Sequence, residues 1–458
     1  MSAAASLWLL LAAAPILAVG DVAADRAVLW MEAPGASSLD IGIETLSGPE
    51  AESRTGFRLP GGPVFKRTLE GLRPGTAYAV TACRAEWCAT ARFTTAPDPR
   101  EPAAVRLAFS GDLAGQNACR DSERGFPVFS AMREASPDFF VALGDMIYAD
   151  AECRPTGRFG NAQVSGPAVA GTYAEFAAHW SYTRADPAFR RLLEGTALYA
   201  VWDDHEVVND FSRHAAVRDG ADLFEPGRRA MLDYNPIDRG AGRLYGRFRI
   251  GGHLELFLLD TRSYRDDKAR EDESGKTLLG QGQRDWLIDS VTASDATWKV
   301  IATSVPLSIP TGTPAGEGRD GWADGGEPTG YERELFRILE AFADAGERNL
   351  VWLSADVHFA TVLSHSPFPD HPEFTMIEAV AGPLSAGLFP HSELDASLQP
   401  RRLFLHGPEG PDRELDFAAS LEWMNFGLLD VSEQGGLILR YVNGAGREIF
   451  RLELPPGR

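Results

Sequence analysis

From residue 15 to residue 97 the chain alternates between apolar and polar positions. The pattern recurs in RAVLWMEA (26–33), LDIGIETL (39–46), VFKRTLEGL (64–72), TAYAVTACR (76–84) and CATARFTTA (88–96). Side chains of a strand point alternately to its two faces, so a period of two buries one face and wets the other. Turn residues separate the runs. Short strands spaced in this way predict a β-sandwich over 15–97.

After the Pro-rich segment APDPREPA (96–103) the rhythm changes. Unbroken apolar runs appear in VRLAFSGD (105–112), DFFVALGD (138–145), LYAVWDD (198–204), LELFLLD (254–260), WKVIATSVP (298–306) and NLVWLSADVH (349–358). Between them lie helix-like stretches such as FPVFSAMREA (126–135) and ERELFRILEAFADA (332–345). Runs that are mostly apolar, without regular alternation, belong to strands covered on both faces, which predicts an α/β domain over 103–458. The C-terminal stretch 428–454 predicts antiparallel strands closing that sheet. The Gly-rich stretch 311–331 reads as a long loop, with Asp320, Trp322 and Tyr331 as candidates to gate a pocket. In the first region, LRPGTAY (72–78) resembles the corner of fibronectin type III-like domains, where a tyrosine hydroxyl (here Tyr78) ties down a loop.

Totals narrow the picture. A chain of 458 residues is too long for one ordinary domain. Its net charge of −21 gains no counterion-release affinity for nucleic acid or anionic membrane. Residues 1–14 hold a short apolar core followed by small residues, as in a secretory signal, and Pro15 interrupts the run too early for a membrane span. A secreted or periplasmic protein with no integral span in its mature chain is therefore expected. Four cysteines fit an oxidising compartment. Cys83 and Cys88 flank a hairpin turn that a short disulfide would close. Cys119 and Cys153 follow two acidic strand ends, and pair if those ends converge; otherwise they are buried thiols.

The candidate chemistry lies where the apolar runs stop. They deliver Asp112; Asp145 followed by Tyr148 and Asp150; Asp204 and His205 with Glu206 and Asn209 beyond; and Asp356 with His358. Open α/β sheets bind ligands at the carboxyl ends of their strands. Taken singly, a Gly-Asp is a turn, an Asp-x-His a surface pair and a Tyr a core residue. Together they crowd carboxylates that repel one another and resist desolvation unless a positive partner neutralises them. A binuclear or larger metal site follows.

The order GD, GDxxY, DHE and DxH resembles the calcineurin-like metallophosphoesterases. The fuller strings GDMIYAD (144–150), WDDHEVVND (202–210), LDTRSYR (259–265) and LSADVHFA (353–360) resemble the alkaline phosphatase D (PhoD) family. The resemblance implies a four-layer αββα phosphoesterase domain behind a small fibronectin type III-like β-sandwich. It implies ferric iron with calcium, or a related pair drawn from manganese or zinc. Asp112, Asp145, Tyr148 and His358 would hold the iron, Asp145 would bridge, and Asp204, Asn209 and Asp356 would serve the calcium side. The best-known branch has Cys where this chain has Asp112, and oxygen in place of sulfur makes the site harder. The implied activity is hydrolysis of small or polymeric phosphate esters by metal-activated water. His205, Asn209 and Arg262 are the candidate catalytic residues. His205 would protonate the leaving alcohol. Arg262 would either clamp a phosphate oxygen or pair with Asp260 or Asp203. The alternatives are a phospholipase D-like or teichoic-acid-type diesterase, and a non-catalytic metal-binding module.

Overall fold

A computed structural model describes residues 15–47, 54–85, 87–213, 215–218, 220–312, 317–410 and 412–457. The expected signal segment 1–14 lies outside the described residues. Among those residues the strands form sheets of nine, seven, four and two strands. No helix there is long and apolar enough to cross a membrane.

The centre of the nine-stranded sheet is Phe139–Leu143, parallel to Val105–Ser110 on one side and to Ala197–Val201 on the other. The pleat explains why the central run is apolar throughout. Phe139, Val141 and Leu143 face a core shared with the seven-stranded sheet, while Phe140 and Ala142 face helices. Those helices include Val128–Glu134, Tyr173–Arg184, Pro187–Leu193 and Phe224–Tyr234. In the seven-stranded sheet Leu254–Leu258, Trp298–Ala302 and Leu350–Ser354 run parallel. Their second face packs on the helices Gly280–Thr292 and Glu332–Asp344. The C-terminal strands Asn425–Val431, Leu437–Asn443 and Glu448–Leu454 extend the nine-stranded sheet as an antiparallel run, the first of them paired with Val105–Ser110, as the pattern predicts.

The N-terminal strands divide between two sheets. Ser38–Thr45, Arg54–Pro60, Ala77–Arg84 and Trp87–Thr94 make the four-stranded sheet. Ile16–Gly20, Arg26–Glu32 and Val64–Glu70 pack against it but also continue the nine-stranded sheet, because Ile16–Gly20 pairs parallel with Ala197–Val201 through Gly20 and Leu198. The Pro-rich segment therefore separates two sequence patterns without interrupting the sheet. Arg54–Pro60 escapes the pattern analysis because six of its seven residues are exposed, so it has no buried face to read. The Tyr78 corner forms, with its hydroxyl accepting the Arg73 N–H at 3.0 Å. Cys83 and Cys88 face each other across the hairpin and are bonded. The Gly-rich loop corrects an expectation: Trp322 and Tyr331 are fully buried, and Asp320 is enclosed with arginines. Large aromatics with no exposed surface anchor a loop and do not gate one.

Phe109 lies directly opposite Gly427, and a Cβ on Gly427 would lie 2.0 Å from Phe109 Cζ. That ring also meets Tyr441 edge-on at 6.0 Å, so it has nowhere to go. Gly427→Ala is expected to cost about 1–3 kcal/mol through overpacking, despite alanine's better strand propensity. Urea denaturation measures this as a lower midpoint.

Candidate metal centre

The site is built from backbone outward. Asp112, Asp145, Asp356 and His358, each just beyond a parallel strand, have φ of 64°, 52°, 72° and 58°. Residues other than glycine seldom adopt this left-handed conformation, and it concentrates at functional turns. The preceding glycines let neighbouring turns touch. A Cβ on Gly111 would lie 2.8 Å from the Gly144 carbonyl oxygen, and one on Gly144 would lie 2.8 Å from the Asp203 nitrogen. The Asp112 N–H donates to Gly144 O at 3.3 Å, and the Leu113 N–H to Asp145 O at 2.7 Å. Glu206 ties two turns together: its buried carboxylate accepts the N–H groups of Asp145, Met146 and Asp203 at 3.0, 2.8 and 2.9 Å. The Cys119–Cys153 disulfide joins the segments that follow Asp112 and Asp145.

A cleft of about 390 Å³ at this edge is lined by Asp145, Asp204, His205, Asn209, Asp356 and His358 among others. Ligand atoms of Asp145, Asp204 and His205 all lie within 4.8 Å of one another. Asp112 is buried beside them, its Oδ1 3.9 Å from His358 Nε2 and accepting the Asp356 N–H at 3.2 Å. The Tyr148 hydroxyl is 2.8 Å from His358 Nε2, and the Tyr148 ring stacks on His205 at 4.1 Å. Six residues named from sequence as metal ligands therefore converge. Asn209 is at the exposed lip, where its backbone N–H donates to Asp150 at 2.8 Å.

The electrostatics fit a cation. Burial first, then the charges of neighbouring carboxylates, hold Asp112, Asp145 and Asp356 well above the usual carboxylate range. Oδ2 of Asp112 and Oδ2 of Asp356 are buried with no hydrogen-bond partner. Buried anions without partners are costly, and hard oxygens with imidazole suit multivalent metals. His358 is prepared as a neutral donor. Its Nδ1–H donates to the Gly387 carbonyl at 2.5 Å, which leaves the lone pair on Nε2, and burial pushes its pKa down to about 3. His205 is the opposite case. Burial alone would lower its pKa, but Asp204 and Asp150 overcome that and push it up to about 10. Its Nδ1 is 2.8 Å from Asp150, leaving Nε2 as the nitrogen not engaged by that carboxylate.

Arg262 is not where a phosphate clamp must be. It is fully buried; its Nε donates to Asp203 at 2.6 Å, and Nη1 and Nη2 donate to Asp320 at 2.9 and 2.6 Å. The ion-pair reading is the correct one, with Asp203 and Asp320 as partners, and the guanidinium has no face left for substrate. Asp203 is pushed up to about 7 by burial, against the pull of Arg262. Asp320, where burial is overcome by Arg262 and Arg265, falls to about 2. Asp204, Asp210 and Asp320 also lie close enough to share an ion, but Asp210 pairs with Lys268 at 2.5 Å and Asp320 with two arginines, so cations of the chain already answer them.

Three residues around the cleft carried no assignment from sequence. Asp150 was visible in GDMIYAD, yet its bond to His205 spans 55 positions. Gly382 lies so close to Asp112 that a Cβ there would strike its Oδ2; the Gly-Pro dipeptide was its only trace. Phe389 stacks flat on His358 at 4.4 Å and has no motif at all.

Two sheets share a core, and acids and imidazoles gather at the carboxyl ends of their parallel strands in an arrangement able to hold a multivalent cation. The chain belongs to the PhoD-like phosphatase family, whose model matches residues 109–418. It is similar to alkaline phosphatase D of Bacillus subtilis (strain 168), with 25% identity over 270 residues, 53% of this chain. The match spans 45% of that relative's length. A solved structure of PhoD shares the fold, with a TM-score of 0.73 over 96% of this chain and 92% of that one, at 18% identity.

Groups whose folded pKa is raised favour the native state at low pH and lose that stabilisation as pH rises past their unfolded values, about 4 for Asp and about 6.5 for His. Asp112, Asp145, Asp356 and His205 all have this sign. Chelation is therefore expected to lower the melting temperature, with a drop that widens from pH 5 to pH 8. Calorimetry with and without chelator checks this; a difference that stays constant or shrinks over that range contradicts it.

Proposed function

We propose that the protein hydrolyses phosphate esters in this cleft. The observation that carries the reading is the convergence of Asp112, Asp145, Asp204, Asp356, His205 and His358 from strand ends of both sheets, with unpartnered carboxylate oxygens among them. In this reading Asp112, Asp145, Tyr148 and His358 would hold ferric iron, and Asp204 and Asp356 with Asn209 would serve calcium, with Asp145 between the two groups. Manganese or zinc are the alternatives. When bound, such a pair neutralises the anionic ester and acidifies a water.

The chain's own residues do the rest. His205, held by Asp150 through Nδ1, donates a proton from Nε2 to the leaving alcohol. The ring of Tyr148 and the bond to Asp150 keep the imidazole from turning. Glu206 and the interlocked turns hold the carboxylates in place before substrate arrives, so little reorganisation is left for the reaction. Export across a membrane, with residues 1–14 as its signal, accords with the two disulfides. The three largest cores, one between the sheets and one on the outer face of each, support a four-layer αββα catalytic unit over 103–458. The three-plus-four strands and the Tyr78 corner support a fibronectin type III-like unit over 15–97.

Asp145→Asn is expected to reduce hydrolysis of p-nitrophenyl and bis-p-nitrophenyl phosphate at least about a thousandfold, and His205→Ala about 100- to 10,000-fold. The rate ratio between the two substrates assigns mono- or diester preference. Undiminished turnover in Asp145→Asn contradicts the proposal.

A further inference from the structure

The cleft has a second wall that the phosphate chemistry leaves unused. Ile309, Pro310, Phe359, Phe389 and Pro390 line it. Ile309 and Phe359 are buried, but Phe389 is 39% exposed, one of few large apolar side chains so exposed among the described residues. One face of its ring is covered, lying parallel to His358 within 1° at 4.4 Å.

This ring is not on a loose loop. The Gly387 carbonyl accepts from His358 Nδ1, and the Gly387 N–H donates to the Gln116 side chain at 3.2 Å. The Leu388 N–H donates to Asp412 at 2.8 Å, and Asp412 in turn holds Arg158 through two bonds of 2.6 and 2.7 Å. An aromatic ring fixed in water at the mouth of a reaction cleft is ready-made contact area, gained with little loss of side-chain freedom.

Charge narrows what can lie there. No Lys or Arg is among the described lining residues, and the nearby Lys268 is paired with Asp210. Once cations have met the phosphate, no free Lys or Arg among the described lining residues answers a second anionic group.

We infer that Phe389 is a specificity-determining residue: the ester taken by this cleft carries a neutral aromatic group that stacks on the uncovered side of Phe389. The inference rests on the phosphate-ester reading above and extends it to the organic part of the substrate.

Binding of non-hydrolysable phosphonates to the full, metal-loaded chain tests it by calorimetry, without reliance on turnover. Phenylphosphonate and methylphosphonate share a head group and differ only in the ring. Wild-type protein is expected to bind phenylphosphonate about tenfold more tightly. Phe389→Ala should remove that preference while leaving methylphosphonate affinity within about twofold, which also reports that the cleft has folded. Phe389→Tyr should retain the preference. 4-Carboxyphenylphosphonate should bind wild type more weakly than phenylphosphonate does. Equal affinities for phenyl- and methylphosphonate in wild type, a preference that survives Phe389→Ala, or tighter binding of the carboxylated ring each overturn the inference and leave the phosphate reading standing. Failure of every phosphonate to bind overturns both together.

Discussion

Buried carboxylates at close quarters govern this structure. Asp112, Asp145, Asp203 and Asp356 are withdrawn from water within one region, and burial together with the neighbouring carboxylates, Asp204 among them, raises the cost of ionising each. The chain answers part of that charge itself. Arg262 takes Asp203 and Asp320, Lys268 takes Asp210, and Asp150 shares its charge with His205. What it leaves unanswered, at Asp112, Asp145 and Asp356, faces inward around the cleft. The division separates a scaffold of satisfied ion pairs behind the site from a set of donors within it.

The fold makes that crowding tolerable by spending rigidity on it. Facing sheets bring the ends of their parallel strands together, and left-handed turns position Asp112, Asp145 and Asp356. Glycines at 111, 144 and 382 allow backbone and side chains to approach where no Cβ fits. Glu206 and the Cys119–Cys153 bond tie turn to turn. The electrostatic cost of the site is thus carried by covalent and hydrogen-bonded links between loops, which sheets of nine and seven strands can support.

Much of this was legible in the sequence because buried parallel strands are apolar on both faces and end abruptly. The runs ending at Asp112, Asp145, Asp204 and Asp356 announced both the strands and the acids at their tips. The edge strand Arg54–Pro60 went unread because no face of it is buried. The joining of Ile16–Gly20 to Ala197–Val201 is a pairing across some 180 positions that no local pattern encodes. Arg262 offered two readings from sequence, and only burial separated an ion pair from a clamp. Phe389 carried no signal, since its role depends on a ring 31 positions away and on a loop pinned by Gln116 and Asp412.

Anomalous diffraction from crystals of the purified protein tests the central claim most directly, because it places ions without reference to activity. Data collected at the iron, manganese and zinc edges should show density beside Asp145, bounded on one side by Asp112 and His358 and on the other by Asp204 and Asp356. A cleft without density in protein supplied with these metals, its carboxylates protonated and bonded to one another, would contradict the account.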